Sequence, residues 1–197
     1  MPEPLHKQAQ SGYKPDINRV RSTFTTRDGR VVKMRLLQPE DVDLLIDFFH
    51  RLSPESRRRR FHTNTEGLSE EFIAENAREL ANVDNRTQGG AVIALYDDED
   101  GTEHIIGSAR LARPAGQPDS PEAEAAIVVR DDFHGQGLGT ELLRRMVLLA
   151  KQMNVKTILA IFEAENEGAI RLFRELGLPT EIDVSQGETT LIMTAPE

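Results

Sequence analysis

The chain reads as an α/β (α+β) protein, a sheet of short strands with helices on both faces. Three observations predict this. Apolar runs rich in β-branched residues, such as Ala125 to Val129 and Thr157 to Phe162, are too short for helices and read as buried strands. Longer stretches carry apolar residues at helical spacing. In the longest, Leu138, Leu142, Leu143, Met146, Leu149, Ala150 and Met153 recur on one face, with Glu141, Arg144, Arg145 and Lys151 on the other. The two kinds of segment interleave, which calls for helices packed on a sheet.

Met1 to Arg21 is polar, proline-bearing and without periodicity, and reads as a flexible tail before a single domain over residues 22–197. Ser22 to Thr26 and Val31 to Leu37 flank Arg27-Asp28-Gly29-Arg30, and Asp-Gly between two such runs predicts a hairpin. Gln38 to Asp41 opens a helix whose stripe is Val42, Leu44, Leu45, Phe48 and Phe49. Ser53-Pro54-Glu55-Ser56 starts a short helix through Arg57 to Arg60 and Phe61. Four consecutive arginines read mainly as a solvated face, with contact to an anion or a phosphate as the lesser reading. Ser69 caps a further helix with Phe72, Ile73 and Ala77 inward.

Gly90 to Tyr96 and Glu103 to Leu111 are strands joined by an acidic turn, and Arg113 to Pro121 is a loop leading into the strand before the long helix. Past that helix, Thr157 to Phe162 is a buried strand. Asn166 caps a helix carrying Ala169, Ile170, Phe173 and Leu176, which Gly177 ends, and Thr189 to Thr194 closes the sheet.

Composition narrows the function. A net charge of −9 opposes a nucleic-acid footprint, which would be basic. No apolar run approaches the roughly 18 residues of a membrane span, and no signal-peptide core opens the chain. With no cysteine there is no disulfide and no thiolate nucleophile, which suits a cytoplasmic protein. His50, His62, His104 and His134 are scattered without metal-ligand spacing, so no metal is expected, and the serines lack a His and Asp constellation.

Between strand and long helix stand Gly135, Gly137 and Gly139. Strand, glycine loop and helix aim free backbone N–H groups at a phosphate, and three glycines would otherwise penalise a helix start by about 1 kcal/mol each. The spacing G-x-G-x-G is not the dinucleotide G-x-G-x-x-G, and no Lys follows as in an ATP-binding loop.

His134, Gly135, Gln136, Gly137, Leu138 and Gly139, followed by Thr140, resemble motif A of the GNAT acyltransferases, [Q/R]-x-x-G-x-[G/A], with His134 in place of Gln or Arg. The resemblance implies the GNAT fold, a mixed and mostly antiparallel sheet with a central parallel strand pair. It also implies acetyl-CoA as cosubstrate, its pyrophosphate on this loop, and Val128 and Val129 supplying backbone groups to pantetheine and thioester. Asn166, Ala169, Leu172, Phe173 and Gly177 resemble the second half of the pattern, N-x-x-A-x-x-L-[Y/F]-x-x-x-G-[F], with Leu178 in place of the final Phe. Asn166 would then contact pantetheine as well as cap its helix. Many members carry a Tyr at the Phe173 position that protonates the leaving thiolate, and Phe has no proton to give.

Acetyl transfer to an amine needs a base, because only about a thousandth of a lysine amine of pKa 10.4 is neutral near neutral pH. Taken alone, Glu124 reads as a surface carboxylate at a strand start. The stretch AEAAIVVRDDFHGQGLGTELL is similar to the bacterial protein lysine acetyltransferases, and the element Leu52-Ser53-Pro54-Glu55-Ser56-Arg57 resembles the same branch. By that resemblance Glu124 is the general base, with Glu122 as substitute. The expected acceptor is a protein lysine, for example on an acyl-CoA synthetase, at an open, shallow mouth. A small amine such as a polyamine or amino acid is the alternative, and a non-catalytic acyl-CoA sensor is a third reading. The acceptor pocket is expected from loops such as Arg113 to Pro121.

Overall fold

The computed structural model describes residues 20–196, and the expected tail over residues 1–19 lies outside them. Val20, inside the expected tail, is 1% exposed, so the packed core begins before Ser22.

Among the described residues eight strands form one sheet: β1 (Ser22–Thr25), β2 (Val31–Leu36), β3 (Gly89–Asp97), β4 (Glu103–Ala112), β5 (Glu122–Val129), β6 (Thr157–Glu163), β7 (Thr180–Ser185) and β8 (Glu188–Thr194). Their spatial order is β1-β2-β3-β4-β5-β6-β8-β7, antiparallel everywhere except between β5 and β6. The helices are α1 (Val42–Arg51), α2 (Pro54–Phe61), α3 (Glu70–Ala81), α4 (Leu138–Gln152) and α5 (Glu167–Arg174). Among the described residues, no helix is long and apolar enough to cross a membrane.

Alternation along the strands builds a core on each face. Val92, Ala94, Ala109, Leu111, Ala123 and Ala125 point to the α4 side, where the predicted stripe of that helix is buried. Ala91, Ile93, Leu95 and Ile105 point to α1 and meet Phe48 and Leu52. At Ile106, β4 carries one residue more than β3, a bulge that leaves both Ile105 and Ile106 buried.

Four details depart from the sequence reading. Arg145, expected on the solvated face of the long helix, is buried: its Nε donates to Glu141 at 2.9 Å and its Nη1 to the Val20 carbonyl at 2.8 Å. Phe72, expected inward, is 48% exposed. The Ser69 hydroxyl accepts the Phe72 N–H and sets the phase of α3, so the buried stripe is Ile73, Ala77 and Ala81. Strand β7 escaped the reading because most of it is exposed and leaves no buried alternation. Its signal was Gln186-Gly187, a two-residue hairpin loop with both φ positive. The closing strand β8 therefore lies inside the sheet and β7 forms the edge.

Candidate active site

β5 and β6 pair in parallel only at Glu122↔Thr157, Ala123↔Ile158 and Glu124↔Leu159. Beyond Glu124 the two strands part. Ala125 to Val129 keep their ladder with β4, so their polar groups on the β6 side have no strand to bind. A cleft of about 440 Å³ opens there, lined by these residues, the glycine loop, Ile161, Phe162 and the start of α5.

The loop is a set of unpaired donors. Among the described residues, no hydrogen bond is made by the backbone N–H groups of residues 135–140, and the helical ladder begins only at Glu141, whose N–H reaches the Gly137 carbonyl at 3.2 Å. Six free donors at a helix N-terminus can hold a pyrophosphate. The hairpin turn between β1 and β2 engages the other side of the loop. Arg27 donates its N–H to the Gln136 carbonyl and its Nη1 to the Gly135 carbonyl, and the Gln136 side chain accepts the Asp28 N–H at 3.1 Å. Gln136 thus anchors the loop.

The glycines serve two purposes. Gly135 and Gly137 have φ of +72° and +82°, where a Cβ is strained. Gly139 is helical, and a Cβ there would come within 3.1 Å of Leu172 on α5, so its bareness lets α4 and α5 approach.

The His134 ring donates from Nε2 to the Val129 carbonyl at 2.8 Å, which ties the loop to the end of β5. The Leu138 side chain is buried in the core, leaving only its backbone for the cleft. Thr140 lines the cleft, and its hydroxyl donates to Glu175 at 2.7 Å. The Asn166 side chain accepts the Ala169 N–H at 3.1 Å, a helix cap that also borders the cleft. Phe173 is 2% exposed and stacks on Phe162 with centroids 6.1 Å apart, a core ring that closes the cleft floor. Val129 lines this cleft, while Val128 lines both it and a second recess.

Helix α2 crosses the gap. Ser53 and Ser56 donate their hydroxyls to Asp131, just past β5, at 2.8 and 2.9 Å, and Arg58 pairs with Glu163 at the end of β6. At 100° per residue the four arginines cannot share one face. Arg57 lies over the Phe49 ring, 4.5 Å from its centroid, and Arg58 and Arg59 both meet Glu55. Arg60 turns inward and lines both cavities. The cleft thereby gathers Arg27, Arg59, Arg60 and Arg171; for Arg59 and Arg60 phosphate contact was the lesser of the two sequence readings, and Arg27 and Arg171 were not assigned to the site.

The second recess, about 260 Å³, lies beneath α1, α2 and α3 beside Val128. Neither cavity is lined by the loop Arg113 to Pro121. That loop is tied down by Arg113, whose guanidinium donates to the carbonyls of Ser120 and Met153, each at 2.6 Å. Helices α1–α3 cover the sheet face that carries Val128. Glu124 is exposed at the point where the strands part. Among the described residues its side chain makes no hydrogen bond or ion pair, and its charge acts on Arg60. Glu122 is exposed opposite Thr157, one alternation further from the cleft.

The family model described as an acetyltransferase (GNAT) domain matches residues 32–179. An acetyltransferase of Pseudomonas aeruginosa is 29% identical over 156 residues, 79% of this chain and 79% of that protein. The L-methionine sulfoximine/L-methionine sulfone acetyltransferase of the same organism is 30% identical over 116 residues, 58% of this chain and 66% of that protein. Among solved structures, the GNAT domain of S. lividans PAT has a TM-score of 0.74 at 21% identity, covering 89% of this chain and 97% of that one. The family match spans most of the chain and falls on a parted parallel pair with an unpaired amide loop: the chain belongs to the GNAT acetyltransferases and is an N-acetyltransferase that uses acetyl-CoA.

Proposed function

We propose that the chain acetylates a small primary amine by direct attack on the thioester, with Glu124 taking the amine proton. The acceptor class rests on one observation, the recess of about 260 Å³ beside Val128, with mostly apolar walls from α1–α3. Such a site can contact a small molecule over most of its surface, whereas a lysine arriving on a protein needs an open mouth. The relative acting on L-methionine sulfoximine and L-methionine sulfone supports the same class.

Glu124 shares a sheet face with Ala126 and Val128, and its carboxylate has no competing partner. It takes a proton from the ammonium group. The neutral nitrogen then attacks the thioester carbon, a free N–H on the β6 side of β5 supports the developing oxyanion, and the C–S bond breaks as the nitrogen sheds its second proton to water. Phe173 has no proton for the departing thiolate, which leaves as an anion and takes up through water the proton that the nitrogen sheds.

A lysine ε-amine on a protein is the second reading, favoured by the exposure of Glu124 and the chain's net charge of −9, which would draw a cationic side chain. Turnover against free amino acids, spermidine and folded proteins, read by mass spectrometry, separates the two. Saturable turnover of a small amine supports the first, and modification of proteins alone would replace it with the second. In the same assay Glu124→Gln should lose about 10²-fold in kcat while calorimetry shows unchanged CoA affinity. Equal turnover by both enzymes from pH 6 to 9 would remove Glu124 from the mechanism.

A further inference from the structure

We propose that Arg60 and Arg110 form a carboxylate subsite in the recess, so that the acceptor is an amine bearing both a carboxylate and an apolar body, as an α-amino acid does. This deepens the small-amine reading and rests on it.

The register of β4 and β5 gives the spacing. Ser108 pairs with Val128, Arg110 with Ala126 and Ala112 with Glu124, so these six residues share a face. Arg110 and Glu124 are diagonal neighbours, positions separated by about 7–8 Å in an antiparallel pair. An α-amino acid whose carboxylate meets Arg110 therefore sits one alternation from Val128, where recess and cleft meet, with Glu124 one alternation away on the other side.

Arg60 completes the subsite from the opposite side, on α2. Burial and the neighbouring Arg110 guanidinium push its pKa down to about 10, while Glu124 opposes them. Burial also lowers the pKa of Arg110. Two like charges at one desolvated place repel, and a carboxylate between them would relieve both.

The hydrogen bonding leaves room for such a guest. Arg110 spends Nη1 on the Leu80 carbonyl at 2.7 Å, and its other donors have no partner among the described residues. The Arg60 side chain makes no hydrogen bond among them and only lies near the Phe61 ring. The other inward arginines differ, for Arg113 is bound to three carbonyls and Arg145 to Glu141 and a carbonyl. Leu45, Phe48, Phe61, Ile73 and Leu80 line the rest of the recess and suit an apolar body.

The test measures kcat/KM for L-methionine, L-leucine and L-phenylalanine and for the three amines that lack the carboxylate, with wild type, Arg110→Met and Arg110→Lys. CoA affinity by calorimetry verifies that each variant is folded. In wild type each amino acid should exceed its decarboxylated amine by about 10- to 100-fold, mainly through KM. Arg110→Met should erase that difference, with Arg110→Lys between the two. Equal use of both sets, or a difference that Arg110→Met leaves intact, would overturn the subsite while sparing the small-amine reading. Turnover of proteins and of none of the six would overturn both. Succinyl-CoA probes the rival source of a carboxylate, and a preference for it over acetyl-CoA that Arg110→Met removes would also overturn the acceptor assignment.

Discussion

The Ser53 hydroxyl donates to Asp131 Oδ1 at 2.8 Å, and this bond pins the start of α2 to the end of β5. The Ser53 N–H and the Ser56 hydroxyl reach the same carboxylate. One aspartate therefore holds in place the helix that carries Arg59 and Arg60 to the cleft. Asp131→Ala should destabilise the fold by about 1–2 kcal/mol, roughly 3–6 °C in Tm. It should also raise the KM for acetyl-CoA, as steady-state kinetics would register; a changed Tm with unchanged KM would mean the pin serves stability alone.

Gly137 and Gly139 differ by two residues and should respond differently to alanine. Gly137→Ala places a Cβ at a φ of +82° and should lose about 1–2 kcal/mol together with CoA affinity. Gly139→Ala gains helix propensity of about 1 kcal/mol against a contact of 3.1 Å with the movable end of Leu172. The second variant should stay within about 1 kcal/mol of the parent in urea denaturation.

Arg145 joins α4 to the segment ahead of β1 through Glu141 and the Val20 carbonyl. Arg145→Ala should destabilise by about 2–4 kcal/mol, because it empties packed volume and leaves a buried carbonyl unpaired. Arg145→Met keeps most of the volume and should lose less. Equal losses in chemical denaturation would assign the whole effect to the hydrogen bonds.

Asp84 predicts the acid limb of stability. Burial works to raise its pKa, but the Thr87 hydroxyl and the N–H groups of Arg86, Thr87 and Gln88 outweigh it and hold the carboxyl well below its usual value of 3.8. Because the folded pKa is the lower one, the stabilisation is present above about pH 4 and fades as pH falls below that. Asp84→Asn should lower Tm at pH 6 and flatten its fall between pH 4 and 2. Parallel curves for the two proteins would show that Asp84 does not carry that limb.

Much of this protein is decided locally and so was legible in the chain. The short β-branched apolar run Ala125 to Val129, period 3.6 from Leu138 to Met153, the Asp28-Gly29 turn and the caps at Ser69 and Asn166 each depend on neighbours in sequence. The glycine loop was legible for the same reason, since Gly135 and Gly137 answer to their own φ angles. Three features required distant pieces of chain to meet. The parting of β5 from β6 past Glu124 follows from how two strands pack, and neither strand encodes it alone. Arg145 looked solvated because its partner carbonyl lies 125 residues away at Val20. Arg60 and Arg110 stand 50 positions apart in the chain, and no spacing rule could join them. Only α2 folded across the sheet brings the two charges to one recess, because burial and the electrostatics it creates are properties of the packed whole.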